Sequence, residues 1–259
     1  MIPYLPPPQP ISFLGFRLPV FGLLLFASMI ATYAAAVHRG RALAIAPERE
    51  IQGFARVLLL AAVAGAHAGG VLSDHGLPAF GRPSLFLSQE GSFSSSAGLV
   101  AAAIAGALHV RVKRWDVRAW ADVVAWAFPF GLLLARAGCA LAHDHPGRLS
   151  TSWWAVRFPG GARLDCGLLE GMAAPLLIAL AVTLGRRREP AGRLAGLVGA
   201  AYGLIRFSLD FLRASDLPGA DPRLLGLTFA QWVCLPLLAG CGYLAITASA
   251  RARAAEATS

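Results

Sequence analysis

The chain has 259 residues, of which 56% are hydrophobic and only 14% charged, with a formal net charge of +9. A soluble domain carries about 25% charged residues, so this composition excludes an ordinary soluble fold and points to an all-α, polytopic integral membrane protein. The positive charge does not indicate nucleic acid, because it lies in short segments between apolar blocks rather than on one soluble face.

The Pro-rich start, residues 1–10, lacks a basic n-region and reads as an extended segment ahead of a first span rather than a secretory signal. Apolar blocks then predict seven transmembrane helices in a single membrane domain, at about 18–37, 54–72, 96–112, 119–142, 168–184, 194–212 and 228–249. Gly65, Gly69 and Gly70 mark a close helix–helix contact in the second block. The third is short and rich in small residues, which predicts burial among other helices. Between the fourth and fifth blocks runs a long loop with Trp153 and Trp154, residue types suited to the membrane–water interface. Cys139, Cys166, Cys234 and Cys241 show no CxxC spacing and read as small buried hydrophobes.

Lysine and arginine set the expected orientation. Thirteen follow blocks one, three, five and seven, against seven on the other side. The richer side is expected to be cytoplasmic, which puts the N-terminus outside, the C-terminus in the cytoplasm and the long loops outside.

Arg136 and Arg206 lie inside apolar runs. An arginine at that depth costs about 2.5–3.5 kcal/mol on insertion scales, so it needs a partner. The predicted partner is a phospholipid phosphate at the outer half of the bilayer, whose oxygens match the forked donors of a guanidinium. Tyr202, Arg206, Asp210 and Arg213 share one face at helical spacing, and an Arg206–Asp210 salt bridge is the plain structural alternative. Glu170 opens block five, where a carboxylate suits a helix N-terminus. His67 lies within a span, where a neutral imidazole is tolerated as structure. His143-Asp144-His145 reads as a polar turn before Pro146-Gly147, because three successive residues share no helical face and no third ligand is evident, so no metal site is expected. A Cys139–His143 thiol–base pair at i+4 is the sharper alternative.

At these residues the chain resembles the prolipoprotein diacylglyceryl transferase family, over nearly its whole length. That family's Gly-Arg-x-Gly-Asn is similar to Ala135-Arg136-Ala137-Gly138-Cys139. Its Tyr-Gly-x-x-Arg-Phe, followed by an acidic residue and Phe-Arg-x-x-Asp, matches Tyr202-Gly203-Leu204-Ile205-Arg206-Phe207, Asp210 and Leu212-Arg213-Ala214-Ser215-Asp216. Leu227-Thr228-Phe229-Ala230-Gln231 resembles its Leu-Thr-x-x-Gln, and Gly65-Ala66-His67-Ala68-Gly69 its Gly-Ala-Arg-x-Gly. The departures are specific. Ser96 stands where the family's Ser-Phe-His-Gly-Gly-Leu has histidine, with Gly98 retained; Phe21 replaces a tyrosine, Cys139 an asparagine, and Gly167 and Leu169 the Gln and Tyr before Glu170.

The resemblance implies transfer of a diacylglyceryl group from phosphatidylglycerol to the lipobox cysteine of a prolipoprotein in the bacterial inner membrane. It implies no cofactor, and phosphatidylglycerol, prolipoprotein signal peptides and membrane lipids as partners. Catalytic roles would fall to Arg136, Arg206 and Tyr202. Phospholipid contacts would come from Arg136, Arg206, Gly138, Gly98 and Arg213. The base would come from His67, His143, His145 or Glu170, and Asp210 would be a base or structural. Two alternatives stay open: a catalytically silent module binding anionic lipid or signal-peptide helices, and a Cys/His metal or redox protein built on Cys139, His143 and His145.

Overall fold

In the computed structural model, residues 1–13, 16–87, 93–187 and 189–257 are described, and among them seven α-helices carry the fold. They are α1 (Val20–Ala42), α2 (Glu48–His75), α3 (Ser95–Val112), α4 (Val117–Ala142), α5 (Cys166–Gly185), α6 (Arg193–Asp210) and α7 (Phe229–Ala257). All but α6 are long and apolar enough to cross a membrane. α6 has 18 residues and carries Arg193, Arg206 and Asp210. Phe26, Leu60, Leu176 and Ile246 are each at least 63% exposed, as helix faces turned to lipid would be. The fold is therefore the expected all-α polytopic membrane class.

The chain divides into two compact units, Ala36–Trp120 and Met1–Ala35 with Ala121–Ser259. In the first, α2 and α3 pack through small residues. A Cβ on Gly65 or Gly69 would overlap Ala101 or Ala97, and one on Gly98 would come within 2.8 Å of the Ala62 carbonyl. Without a hydrophobic drive between helices in lipid, such close backbone approach supplies the attraction. Within its own unit α3 is not enclosed as its composition predicts. Its glycine face meets α2, while Ile104 and Leu108 remain exposed. α2 begins six residues earlier than expected, just after Pro47, with Glu48 and Glu50 in its first turn.

In the second unit, α6 and α7 approach through Gly196 and Gly199, where a Cβ would meet Ala245 and the Cys241 thiol. Asp122 of α4 accepts the Gly192 and Ala195 N–H groups, both at 2.7 Å, and so caps the start of α6 from another helix. α1 and α4 meet where a Cβ on Gly131 would overlap Thr32 and one on Gly138 would lie 3.2 Å from the Phe21 ring.

The loop after α4 is a small antiparallel sheet of β3 (Pro146–Leu149), β4 (Val156–Phe158) and β5 (Gly161–Asp165), ordered β3-β5-β4. Ile2 pairs with Val156, so the N-terminal segment adds to its edge rather than only preceding the first helix. Arg163 reaches Asp216 through two hydrogen bonds of 2.9 and 2.6 Å, tying the sheet to the segment after α6.

Candidate active site

Three helices bring four charged groups together in the second unit. Arg136 comes from α4, Glu170 from α5, Arg206 and Asp210 from α6, and all four are buried. One oxygen of Glu170, Oε2, lies 3.1 Å from Arg136 Nε and accepts a 2.8 Å hydrogen bond from Arg206 Nη1. The two guanidiniums therefore converge, as expected, but on a carboxylate of the chain itself. Arg206 Nη2 also lies 3.3 Å from Asp210 Oδ1, which makes the i+4 salt bridge real. Glu170 is thus not an N-cap. Asp165 fills that role by accepting the Leu168 N–H at 3.0 Å, which moves Glu170 more than a turn inside α5. Among the described residues, Glu170 Oε1 and Asp210 Oδ1 accept no hydrogen bond.

A second layer fixes Asp210. Its Oδ2 accepts a hydrogen bond from Thr228 Oγ1. Thr228 and Gln231 close a capping box at the start of α7: the Thr228 N–H donates to Gln231 Oε1 at 3.0 Å and the Gln231 N–H donates to Thr228 Oγ1 at 3.2 Å. Gln231 Nε2 reaches back to the Phe207 carbonyl at 3.1 Å. The Leu-Thr-x-x-Gln motif is therefore a helix start that also anchors the acidic residue beside Arg206. Arg213 Nη1 lies 4.0 Å from Asp210 Oδ1 and its Nε 2.5 Å from Asp221. Tyr202 is buried with Leu132, Ala174 and Leu177, its ring 4.7 Å from Phe128.

The polar turn after α4 is more organised than its sequence suggests. His143 adopts a left-handed backbone (φ 51°) that ends the helix and turns the chain back. Asp144 and His145 then return towards Cys139, so that one ligand atom from each of the three lies within 4.8 Å of the others. This corrects the expectation that no third ligand is at hand. The Cys139–His143 pair does not form. His143 Nδ1 lies 2.7 Å from Asp165 and its Nε2 3.0 Å from the Leu5 carbonyl, while Arg136 Nη1 is 3.5 Å from Cys139 Sγ. Burial, with the guanidiniums of Arg136, Arg213 and Arg206 adding to it, pushes His145 down to about 3, so it stays neutral. Burial raises Asp144 above the ordinary carboxylate value, although Arg136 opposes the shift.

His67 and Gly98 belong to the other unit. His67 Nε2 is 3.2 Å from the Phe86 carbonyl, and Gly98 is accounted for by its contact with α2. Gly138 likewise has a packing reason, the approach of α1. Sequence reasoning missed Asp165 and Asp122, whose partners lie 22 and about 70 residues away. It also missed Gly147, where a Cβ would come within 2.7 Å of the Leu212 carbonyl.

Comparison with known proteins shows the family of the chain. The family model for prolipoprotein diacylglyceryl transferase matches residues 8–247. A phosphatidylglycerol–prolipoprotein diacylglyceryl transferase of Geobacter sulfurreducens is 31% identical over 76% of this chain and 78% of its own length. Proteins of the same name from Idiomarina loihiensis and Mannheimia succiniciproducens are each 32% identical, over 60% and 58% of this chain and 59% and 56% of their own lengths. With its apolar helices, this places the chain among multi-pass proteins of the bacterial inner membrane. The chain belongs to the prolipoprotein diacylglyceryl transferase family.

Proposed function

We propose that the protein transfers a diacylglyceryl group from phosphatidylglycerol to the thiol of a lipobox cysteine in a prolipoprotein, releasing glycerol phosphate. The observation that carries this reading is the convergence of Arg136 and Arg206, from two helices, on one buried carboxylate oxygen at 3.1 and 2.8 Å. Two guanidiniums cannot be kept so close in a low-dielectric interior without an anion between them. Glu170 serves when lipid is away. The phosphodiester then joins or displaces it, and the same donors stabilise negative charge on the departing phosphate. Tyr202, one turn before Arg206, adds a hydrogen-bond donor, and Arg213 extends positive charge towards the α6–α7 connection. The seven helices form one membrane domain, with the N-terminus outside, the C-terminus cytoplasmic and the site in the outer half of the bilayer. Signal-peptide helices enter sideways between helices.

The acceptor thiol must also lose its proton. His143 is committed to Asp165 and the Leu5 carbonyl, and His145 is a weak base. A catalytically silent lipid-binding module is the second reading. It is favoured by the carboxylates already paired with both arginines and by Ser96 in place of the family histidine. Rescue of a strain depleted of its own transferase separates the two. Growth restored by this chain, and abolished by Arg136→Ala or Arg206→Ala at unchanged protein level, supports the enzyme. Failure to rescue by correctly inserted protein supports the silent module.

A further inference from the structure

We infer that Thr228 is a positioning residue for the reaction: through Asp210 it sets where Arg206 presents its donors to the phosphate. This rests on the transferase reading above and adds to that site a residue that touches no substrate. Three observations carry it.

The first is how Arg206 is anchored. Its Nη1 donates to Glu170 Oε2 at 2.8 Å, and its Nη2 lies 3.3 Å from Asp210 Oδ1. A phosphodiester that displaces Glu170 takes over the Nη1 donor. Asp210, one turn along the same helix, is then the anchor that remains. A guanidinium is a planar fork, so a shift of one arm re-aims the other. The direction of the Asp210 carboxylate therefore decides where Nη1 points when lipid is bound.

The second is what holds that carboxylate. Asp210 is the last residue of α6, where the negative end of the helix dipole disfavours a carboxylate. Its Oδ1 accepts no hydrogen bond among the described residues, while its Oδ2 accepts one from Thr228 Oγ1. That hydroxyl sets the rotation of the carboxylate. Both residues are buried, so bulk water does not compete for the bond.

The third is how firmly Thr228 itself is held. The Gln231 N–H donates to Thr228 Oγ1 at 3.2 Å. It occupies a lone pair of the hydroxyl and leaves the single hydroxyl proton for Asp210. On the other side, Arg223–Leu224 pairs with Leu227–Thr228 in a hairpin whose central residues, Leu225 (φ 52°) and Gly226 (φ 81°), are both left-handed. Arg223 Nη2 reaches the Asp210 carbonyl at 3.4 Å, and Trp232 Nε1 donates to the Leu224 carbonyl at 3.0 Å. The end of α6 and the start of α7 are thus fastened at the Thr228–Asp210 pair, and the same pair aims Arg206.

The consequence for the reaction is a difference between binding and turnover. The bound phosphodiester carries one negative charge, and the phosphate that departs carries about two. An arginine aimed at the leaving oxygen therefore contributes more in the transition state than in the bound lipid complex, and a loss of aim lowers kcat more than it weakens binding.

The test uses the full-length protein in detergent with phosphatidylglycerol and a lipobox peptide, and rates are taken per folded protein. Thr228→Val keeps the shape of the side chain and removes the hydroxyl. Its kcat should fall by more than about tenfold, with KM for phosphatidylglycerol changed by less than about threefold. Thr228→Ser keeps the hydroxyl and should hold kcat within about threefold of the parent. Asp210→Ala should reproduce the Thr228→Val defect, and combining the two should lower kcat no further, because the hydroxyl then has no carboxylate to aim. Parent-like kcat in Thr228→Val, equal losses in Thr228→Ser and Thr228→Val, losses that multiply in the double variant, or a rise in KM alone overturns the inference. Where Thr228→Val does not elute and melt as a folded protein, Asp210→Ala decides: a kcat loss with KM kept supports the inference, and a retained kcat overturns it. No lipidation by the folded parent overturns the transferase reading, and this inference with it.

Discussion

Glu170 sets one oxygen against two guanidiniums and leaves the other without a hydrogen bond among the described residues, so removing it leaves two buried cations facing each other. Glu170→Ala is expected to cost about 3–5 kcal/mol, the range for breaking a buried ion pair from one side. Adding Arg136→Met should recover part of that loss, because the cation whose carboxylate was removed is then gone, while Arg206 keeps Asp210. Thermal unfolding in detergent of the single and double variants measures both, and strictly additive losses would count against a shared carboxylate. Asp165 has two duties, capping α5 at the Leu168 N–H and holding His143 at 2.7 Å. Asp165→Ala should therefore cost more than the ~1 kcal/mol of a lost N-cap. Asp165→Asn, which still caps, should recover only the cap's share, as thermal shifts would show.

At the scale of the element, α6 is the helix that departs most from a simple membrane span. It begins with Gly192 in a left-handed conformation (φ 93°), and Asp122 supplies its cap from α4. Asp122→Ala leaves the buried Gly192 and Ala195 N–H groups without that acceptor, at about 1–3 kcal/mol for each unsatisfied group. Hydrogen exchange in the first turn of α6 is expected to speed up while exchange in α2 and α3 stays unchanged. Uniform acceleration through both units would show that the cap supports more than its own helix. In α2, Gly65→Leu is expected to separate α3 by placing a side chain where Ala101 already lies. Faster exchange confined to α2 and α3 would follow.

For the whole molecule, the non-helical parts act as fastenings. The Ile2–Val156 bridge holds the N-terminal segment to the sheet, and Arg163–Asp216 holds the sheet to the segment beyond α6. The Arg163 guanidinium keeps the Asp216 carboxyl below the ordinary carboxylate range. A depressed folded value means that the pair's contribution is fully present above the unfolded carboxyl value and fades as pH falls through the folded one. Asp216→Asn should therefore lower the melting temperature at neutral pH, with the difference from the parent shrinking to nothing in strong acid. A difference that persisted unchanged in acid would mean that the carboxylate charge is not what fastens the sheet. Asp216 is half exposed, so added salt should shrink the difference as well.

The sequence alone determined the helices and their class, because a bilayer demands long apolar runs and those are visible residue by residue. It also determined that Arg136 and Arg206 need an anion, since buried guanidiniums stand out in an apolar run, and that Tyr202, Arg206 and Asp210 share a face, since 3.6-residue periodicity is local. Only the tertiary structure decided which anion Arg136 and Arg206 meet, because Glu170 is 34 residues from one and 36 from the other in the chain. It also decided that Asp165 rather than Glu170 caps α5, and that the segment after α4 is a sheet whose strands pair across intervening turns. The Cys139–Asp144–His145 cluster was hidden for a related reason. Helical spacing cannot foresee a left-handed residue that folds the chain back, and non-local partners are set by packing rather than by any pattern along the chain.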